Sequence, residues 1–162
     1  MRISEEKQVP PESTSPDLSF EVSHLQQSLT QATYATAKQA NTQVKRSQQY
    51  SCSLLIPGIN LQKPMLVAVS DASPGKMPRQ GSQGGMFLLI TTEEVTTKRV
   101  PVACMYWLSH GLKRVARSSM ATESMALCEA VEHAEFLRAC LCELLDPKSD
   151  FKQDFLVIGF WH

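Results

Sequence analysis

Apolar residues recur at helical spacing across residues 114–145, and this pattern predicts the longest helix of the chain. One acidic residue, Glu123, falls near the middle of the apolar stripe, between Met120 and Leu127. A carboxylate that faces a core is costly unless a cation or a metal ion pairs with it. The pattern therefore singles out Glu123 as a candidate site residue. The predicted stripe comprises Met120, Leu127, Ala130, Val131, Ala134, Leu137 and Leu141.

Shorter apolar segments before and after this helix predict extended structure. SLLIPGI (53–59) predicts a short strand, and DFLVIGFWH (154–162) begins another strand after the helix. A turn-rich segment with several Gly and Pro residues separates the first two of the longer strands. This order of strands and helix indicates a mixed α/β fold. The longer strands are predicted over residues 64–73, 86–95 and 100–109.

The long helix also determines how the strands on either side of it are expected to pair. A connection through a helix places the following strand parallel to an earlier one, and such crossovers are right-handed. The last strand is therefore predicted beside the first, with the helix lying across the first strand. Ser118 or Ser119 is predicted to cap the helix. Asp71, predicted at the C-terminal end of the first strand, is then expected to approach Glu123.

The N-terminal part of the chain has a different pattern. Residues 1–16 are polar and rich in Pro, Ser and Glu, and they are predicted to be disordered or a linker. Residues 17–50 show helical patterns, with Asp17 predicted to cap a first helix and Thr33 a second. The α/β domain is predicted to span residues 51–162.

Charge is balanced overall but not locally. The formal net charge is zero, so global charge predicts no polyanionic partner. Between Glu94 and Glu123 there is no acidic residue, and five basic residues occupy the interval. Cations are disfavoured at the positive N-terminal end of a helix, so the basic residues there either form a solvated start or bind a ligand phosphate. The five are Lys98, Arg99, Lys113, Arg114 and Arg117.

The cysteines and the lack of apolar runs indicate the compartment. Five cysteines form no metal-ligand spacing, and no secretory signal is present. An odd number of cysteines in such a chain predicts reduced thiols in an intracellular protein, cytoplasmic or nuclear and not secreted. No apolar run approaches the roughly 20 residues of a membrane helix, so no membrane partner is expected.

Three motifs follow one another in the α/β part of the chain: VSDAS, then RQGSQGGMFLLI, then MYWLSHGLKRVARSSMATESMAL. Together they resemble the ribonuclease H region of copia-type retrotransposon Pol polyproteins. The upstream segment, with PDLSFEVSHL and TQATYATAKQANTQVKR, resembles the end of the reverse transcriptase that precedes this region. The resemblance covers residues 16 to 158 and keeps the order and spacing of the motifs.

The resemblance implies a ribonuclease H-like mixed sheet with a long crossover helix, preceded by a small helical remnant of the reverse transcriptase. It implies hydrolysis of RNA in RNA–DNA hybrids by two divalent metal ions, Mg²⁺ or Mn²⁺. Asp71 matches the first-strand aspartate that contacts both ions, and Glu123 matches the helix glutamate that holds one of them. The implied partners are an RNA–DNA hybrid and the remainder of the reverse transcriptase. Candidate nucleic-acid contacts are Lys113, Arg114, Arg117, Ser73 and Gln83.

The chain departs from this family where a third aspartate is expected. That residue follows the strand after the helix, but here FLVI is followed by GFWH, without a carboxylate. Asp154 stands at the opposite end of the strand, too far away to replace it. Two carboxylates leave a divalent ion with few protein ligands. The domain is therefore expected to be incomplete at its C-terminus, with little or no nuclease activity.

Simpler interpretations stand beside these. Glu123 is also a suitable first-turn residue in a capping arrangement, and Asp71 is also a common residue before a turn. Ser73 and Gln83 equally suit a hairpin that contacts no ligand. At the level of function, the alternatives are a non-catalytic module that binds nucleic acid through its basic residues, and a non-functional retroelement fragment.

Overall fold

The structure is a computed structural model with a mixed α/β fold. The chain divides into two compact units, Met1–Leu54 and Leu55–His162. None of the described helices combines the length and the apolar character that a membrane-spanning segment requires. The described residues are 16–50, 54–61, 64–77, 81–113, 118–145 and 157–161.

The first unit contains two helices, α1 (Ser19–Ser28) and α2 (Tyr34–Gln49). The start of α2 confirms the prediction that Thr33 caps it. The Oγ1 atom of Thr33 accepts a hydrogen bond from the backbone N–H of Thr36, at 3.3 Å. In return, Oγ1 of Thr36 accepts one from the N–H of Thr33, at 3.2 Å. This reciprocal capping box satisfies two backbone donors that the first turn would otherwise leave without partners.

The predicted cap of the first helix is wrong. Asp17 lies within a short 3₁₀ turn (Pro16–Leu18), and α1 begins only after Leu18, which gives no side-chain cap. Pro16 explains the difference, because its fixed φ favours a tight turn ahead of the helix. Across the pair of helices, Arg46 Nη1 lies 3.0 Å from Glu21 Oε1. An exposed ion pair of this kind contributes little to stability.

The second unit is built on a four-stranded sheet in the order β3-β2-β1-β4. The pairs β1–β2 and β2–β3 are antiparallel, whereas β4 runs parallel to β1. The predicted parallel pairing of the first and last strands is therefore confirmed. The strands are β1 (Pro64–Met77), β2 (Gly81–Thr92), β3 (Ala103–Gly111) and β4 (Val157–Trp161).

Three details of the predicted strands need correction. Residues 54–61, which include most of the predicted SLLIPGI strand, are irregular, because Pro57 and Gly58 disfavour a ladder there. β1 does not stop near Asp71 but continues to Met77, and β2 already begins at Gly81. The two strands therefore form a long hairpin, and much of the segment predicted as a turn is paired backbone.

The long helix α3 (Ser119–Leu145) packs against β1 and β2, as predicted. Its buried stripe differs from the predicted one, because Met120 is 78% exposed and Leu127 is 37% exposed. The stripe that contacts the sheet is made largely of small side chains, which let the helix approach the strands closely. The buried residues of α3 are Thr122, Ala126, Ala130, Ala134, Leu141 and Cys142.

The core lies between α3 and one face of the sheet. Leu66 and Ala68 of β1 point towards the helix, as do Leu88 and Ile90 of β2. Because side chains alternate along a strand, the residues between them point to the opposite face. The sheet thus has one face covered by α3, and Asp71 belongs to the other face.

Candidate functional site

Asp71 lies at an exposed position on the central strand β1. Its partner on the adjacent strand β2 is Gly85. Gly85 is in turn paired with Ser109 of β3. Glycine has no side chain, so β2 places nothing beside the Asp71 carboxylate at this level. The Oδ1 atom of Asp71 accepts a hydrogen bond from the N–H of Ala72 at 2.9 Å.

On the other side of β1, the parallel pairing with β4 is described from Met65–Val157 to Val69–Trp161. Asp71 lies two residues beyond Val69 along β1, and it is not at the end of this strand as predicted, because β1 continues to Met77.

Glu123 lies in the first turns of α3, which are held by the backbone and side chain of Ser118. Ser118 Oγ accepts a hydrogen bond from the N–H of Ala121 at 3.2 Å, which confirms it as the cap. The hydroxyl of the buried Thr122 donates to the Ser118 carbonyl at 3.0 Å. Glu123 is half-buried as a residue, and its carboxylate makes no hydrogen bond or ion pair with another described residue. This carboxylate can therefore accept a cation from elsewhere.

The packing of α3 on the sheet brings the two carboxylates to the same end of the sheet. A Cβ atom built on Gly84, which pairs with Ala72, would lie 3.7 Å from the Cβ of Ala126. The helix therefore crosses the sheet at the level of Ala72, and Glu123 lies one turn before that crossing, about 4.5 Å along the helix axis. Asp71 starts from the opposite face of the sheet, so the two side chains approach this end from different sides.

Substitution of Gly84 tests whether this close approach fixes the start of α3. A Cβ at Gly84 would lie 2.8 Å from Cδ2 of the buried Leu112. Gly84→Ala is therefore expected to lower the free energy of unfolding by about 1 kcal/mol, because the packed leucine has to move. Urea denaturation measures the change.

Gly85→Ala is the matched control for this substitution. The nearest atom to a Cβ at Gly85 is the carbonyl oxygen of Leu108, at an ordinary contact distance of 3.8 Å. Its stability should stay within about 0.5 kcal/mol of the wild type. Equal losses in the two variants would contradict the packing described at Gly84.

The predicted nucleic-acid contacts are distributed unevenly over this region. Ser73 and Gln83 are paired across β1 and β2, on the same face as Asp71. The Gln83 side chain is buried and its Nε2 donates to Ser109 Oγ at 2.8 Å. This bond holds the amide within the sheet, so Gln83 has a structural role whether or not it also contacts a ligand. The sequence did not single out Ser109 as a site residue. Ser109 is paired with Gly85, which is the β2 partner of Asp71.

The basic residues before α3 are described only in part. Lys113 is exposed directly after the buried Leu112. Arg114 and Arg117 lie outside the described residues. Their role as nucleic-acid contacts remains a prediction.

Sequence reasoning missed a polar contact between α3 and the sheet. His110 Nε2 at the end of β3 lies 2.5 Å from Glu129 Oε2 of α3. Glu129 is half-buried at this contact. The two residues are far apart along the chain, and only the placement of α3 across the strands brings them together.

The titration of two side chains of β3 reflects burial. Burial raises the pKa of the Tyr106 hydroxyl above its ordinary value. Burial also raises the pKa of the Cys104 thiol above its ordinary value. Both groups are therefore neutral near physiological pH and supply no reactive anion.

Within the described ranges, no group of three or more His, Cys, Asp or Glu side chains has the geometry to hold a metal ion. Asp71 and Glu123 thus form at most a pair of carboxylates at one end of the sheet. No family model, curated protein or solved structure was found to match the chain.

Proposed function

We propose that the second unit is a ribonuclease H-like domain of retroelement origin that binds RNA–DNA hybrids. The sheet order β3-β2-β1-β4, with β4 parallel to β1 through the crossover helix α3, supports this proposal. The observation that carries it is the placement of Asp71 and Glu123 at the same end of the sheet. These are the two positions that the motifs VSDAS and SSMATES assign to the site.

The chemistry of the two carboxylates suits a hard divalent cation. Mg²⁺ and Mn²⁺ prefer carboxylate, water and phosphate oxygens, and Glu123 is half-buried without a described partner. Asp71 and Glu123 would hold one such ion. When bound, it supplies charge neutralisation for a phosphate and a more acidic water. The protein's own part is to present two carboxylates from two elements that α3 packing holds together.

A second ion would find few protein ligands in these 162 residues. Residues 157–162 carry no carboxylate, and this is where the resemblance implies the third aspartate. We therefore propose that this chain binds hybrid and one weakly held divalent ion, and that it does not cut the RNA strand at an appreciable rate.

The first unit fits the end of a reverse transcriptase that precedes such a domain. Its two helices belong to a separate compact unit that ends at Leu54. Helix α2 has no buried residue, and Tyr34 is 87% exposed and Val44 55% exposed. Exposed apolar side chains on a helix suit packing against further protein, and the remainder of the transcriptase is the partner that the resemblance implies.

A second candidate function is binding of nucleic acid without any metal ion. The segment between Glu94 and Glu123 favours this function, because it contains five basic residues and no acidic residue. Lys113, which belongs to this segment, is exposed. Such binding depends on phosphate contacts and is therefore strongly weakened by salt. It shares the partner with the first proposal but not the role of Asp71 and Glu123.

Hybrid binding with and without Mg²⁺ separates these functions. The wild type should bind a labelled RNA–DNA hybrid several-fold more tightly in Mg²⁺ than in EDTA, and Asp71→Asn should lose that gain, because one metal ligand is removed. Asp17→Asn is the control, since it makes the same change of charge in the first unit. Fluorescence anisotropy measures affinity, and gel analysis of the RNA strand measures cleavage.

Each outcome has a clear reading. Failure to bind hybrid contradicts the proposed function. RNA cleavage that needs Asp71 contradicts the proposal that the site is incomplete. The metal-free alternative is favoured if the affinity for hybrid is unchanged by Mg²⁺ and by Asp71→Asn. It also requires that the affinity falls when Arg114 and Arg117 are replaced by alanine.

A further inference from the structure

A groove lies between α3 and the edge strand β3, away from the candidate site. It has a volume of about 530 Å³, which is the size of a site for one small molecule. Its apolar lining includes Leu88, which is 1% exposed, and Leu137, which packs against the core. The groove therefore has a preformed apolar floor.

Aromatic and sulfur-containing side chains form the rest of the apolar lining. The rings of Tyr106 and His133 are stacked, with centroids 5.2 Å apart and planes 21° apart. Phe136 is 71% exposed and Met105 is 41% exposed, and both line the same groove. Large apolar side chains left in water at one place favour a ligand that covers them.

One carboxylate, that of Glu132, lines the groove. Among the described residues it makes no hydrogen bond and no ion pair, whereas Glu129 pairs with His110 and Glu135 pairs with Arg138. Glu132 thus contributes a negative charge beside exposed aromatic rings, and both features attract a cation.

We propose that this α3–β3 groove binds a small organic cation with an apolar body, such as an arylalkylamine. The ammonium group pairs with Glu132 and the body covers Phe136 and Met105. Lys113 lines the neighbouring depression and not this groove, so Glu132 is the charged residue among those that line the groove. The proposal does not depend on nucleic-acid binding by the other end of the sheet.

Three probes with the same body and different head groups test the proposal: 4-phenylbutylamine, 4-phenylbutanol and 4-phenylbutyrate. Titrations at pH 8 keep imidazole groups largely neutral. Binding is followed by the NMR signal of the Met105 methyl group, and the methyl group of Met120, which is 78% exposed and does not line the groove, serves as reference. The amine should bind about 3-fold more tightly than the alcohol and about 10-fold more tightly than the carboxylate.

Variants assign the preference to the groove. Glu132→Gln should make the amine and the alcohol bind equally, whereas Glu135→Gln, a matched change one turn away, should leave the order unchanged. Phe136→Ala should weaken all three probes. The proposal is overturned if the Met105 signal shows no saturable shift, if the carboxylate binds as tightly as the amine, or if Glu132→Gln keeps the original order.

Discussion

Leu66→Ala is expected to lower the free energy of unfolding of the second unit by about 3 kcal/mol. Leu66 is fully buried at the centre of the core, on the strand that pairs with both β2 and β4. The substitution removes apolar contact and leaves a cavity that the surrounding strands cannot close, because each is held by its ladder. Urea denaturation followed by circular dichroism gives the change.

The exposed Leu144, at 77% exposure, provides the control for the same chemical change. Leu144→Ala should alter the free energy of unfolding by less than about 0.5 kcal/mol. A wild type without a cooperative transition, or equal losses in the two variants, would contradict the core described between α3 and the sheet.

Ala130→Glu is expected to cost about 4 kcal/mol or more, which is enough to unfold the second unit under most conditions. Ala130 is fully buried on the stripe of α3 that contacts the sheet. A glutamate there has neither room nor a partner, even after its carboxyl group takes up a proton. Circular dichroism and the midpoint of thermal unfolding check the result.

Ala121→Glu places the same side chain on the exposed side of the same helix. An acid near the N-terminus of a helix is favoured by the helix dipole, so this variant should be as stable as the wild type. If Ala130→Glu were as stable as Ala121→Glu, the buried stripe would have to lie on other residues of α3. Glu123 would then no longer lie near the start of that stripe.

The order of the elements and the pairing of the strands could be predicted from the sequence, because each rests on a local signal or on chain geometry. Thr33 indicated the start of α2, because its side chain can cap a helix. Ser118, one of the two serines predicted to cap α3, indicated the start of that helix in the same way. The parallel placement of β4 beside β1 follows from the helix between them and from the handedness of such connections. These features depend little on which side chains pack against which.

Which side chains pack in the core was harder to predict, and the buried stripe of α3 shows why. Hydrophobicity alone assigns Met120 and Leu127 to the core, but small side chains such as Ala126 and Ala130 face the sheet instead. The close approach of helix and strand at Gly84 selects them for volume rather than for apolar character. A pattern of hydrophobic and polar positions carries no information about that distance.

The candidate site shows the same division. Glu123 was singled out as an acid on a core-facing stripe between Met120 and Leu127. That reason does not hold, because both of those residues are exposed and the buried stripe begins with Thr122 and Ala126. The β1–β4 pairing near Asp71 depends on the register of two strands that are remote in the chain, and the His110–Glu129 pair depends on where α3 crosses. Neither has a signal in a short window of sequence.

The position of β1 between β2 and β4 also bears on how the sheet is assembled. β1 meets β2 through a hairpin that is local in the chain, whereas Met65 meets Val157 only after β2, β3 and α3 have intervened. Closing the longer loop costs more chain entropy, so we expect the antiparallel meander to form before the parallel strand is added. Until then the outer edge of β1, which carries an uninterrupted apolar run from Met65 to Val69, offers its unpaired backbone groups to any other extended chain. Because β4 pairs with this edge of β1 from Met65 to Val69, we expect its docking to reduce self-association of the chain.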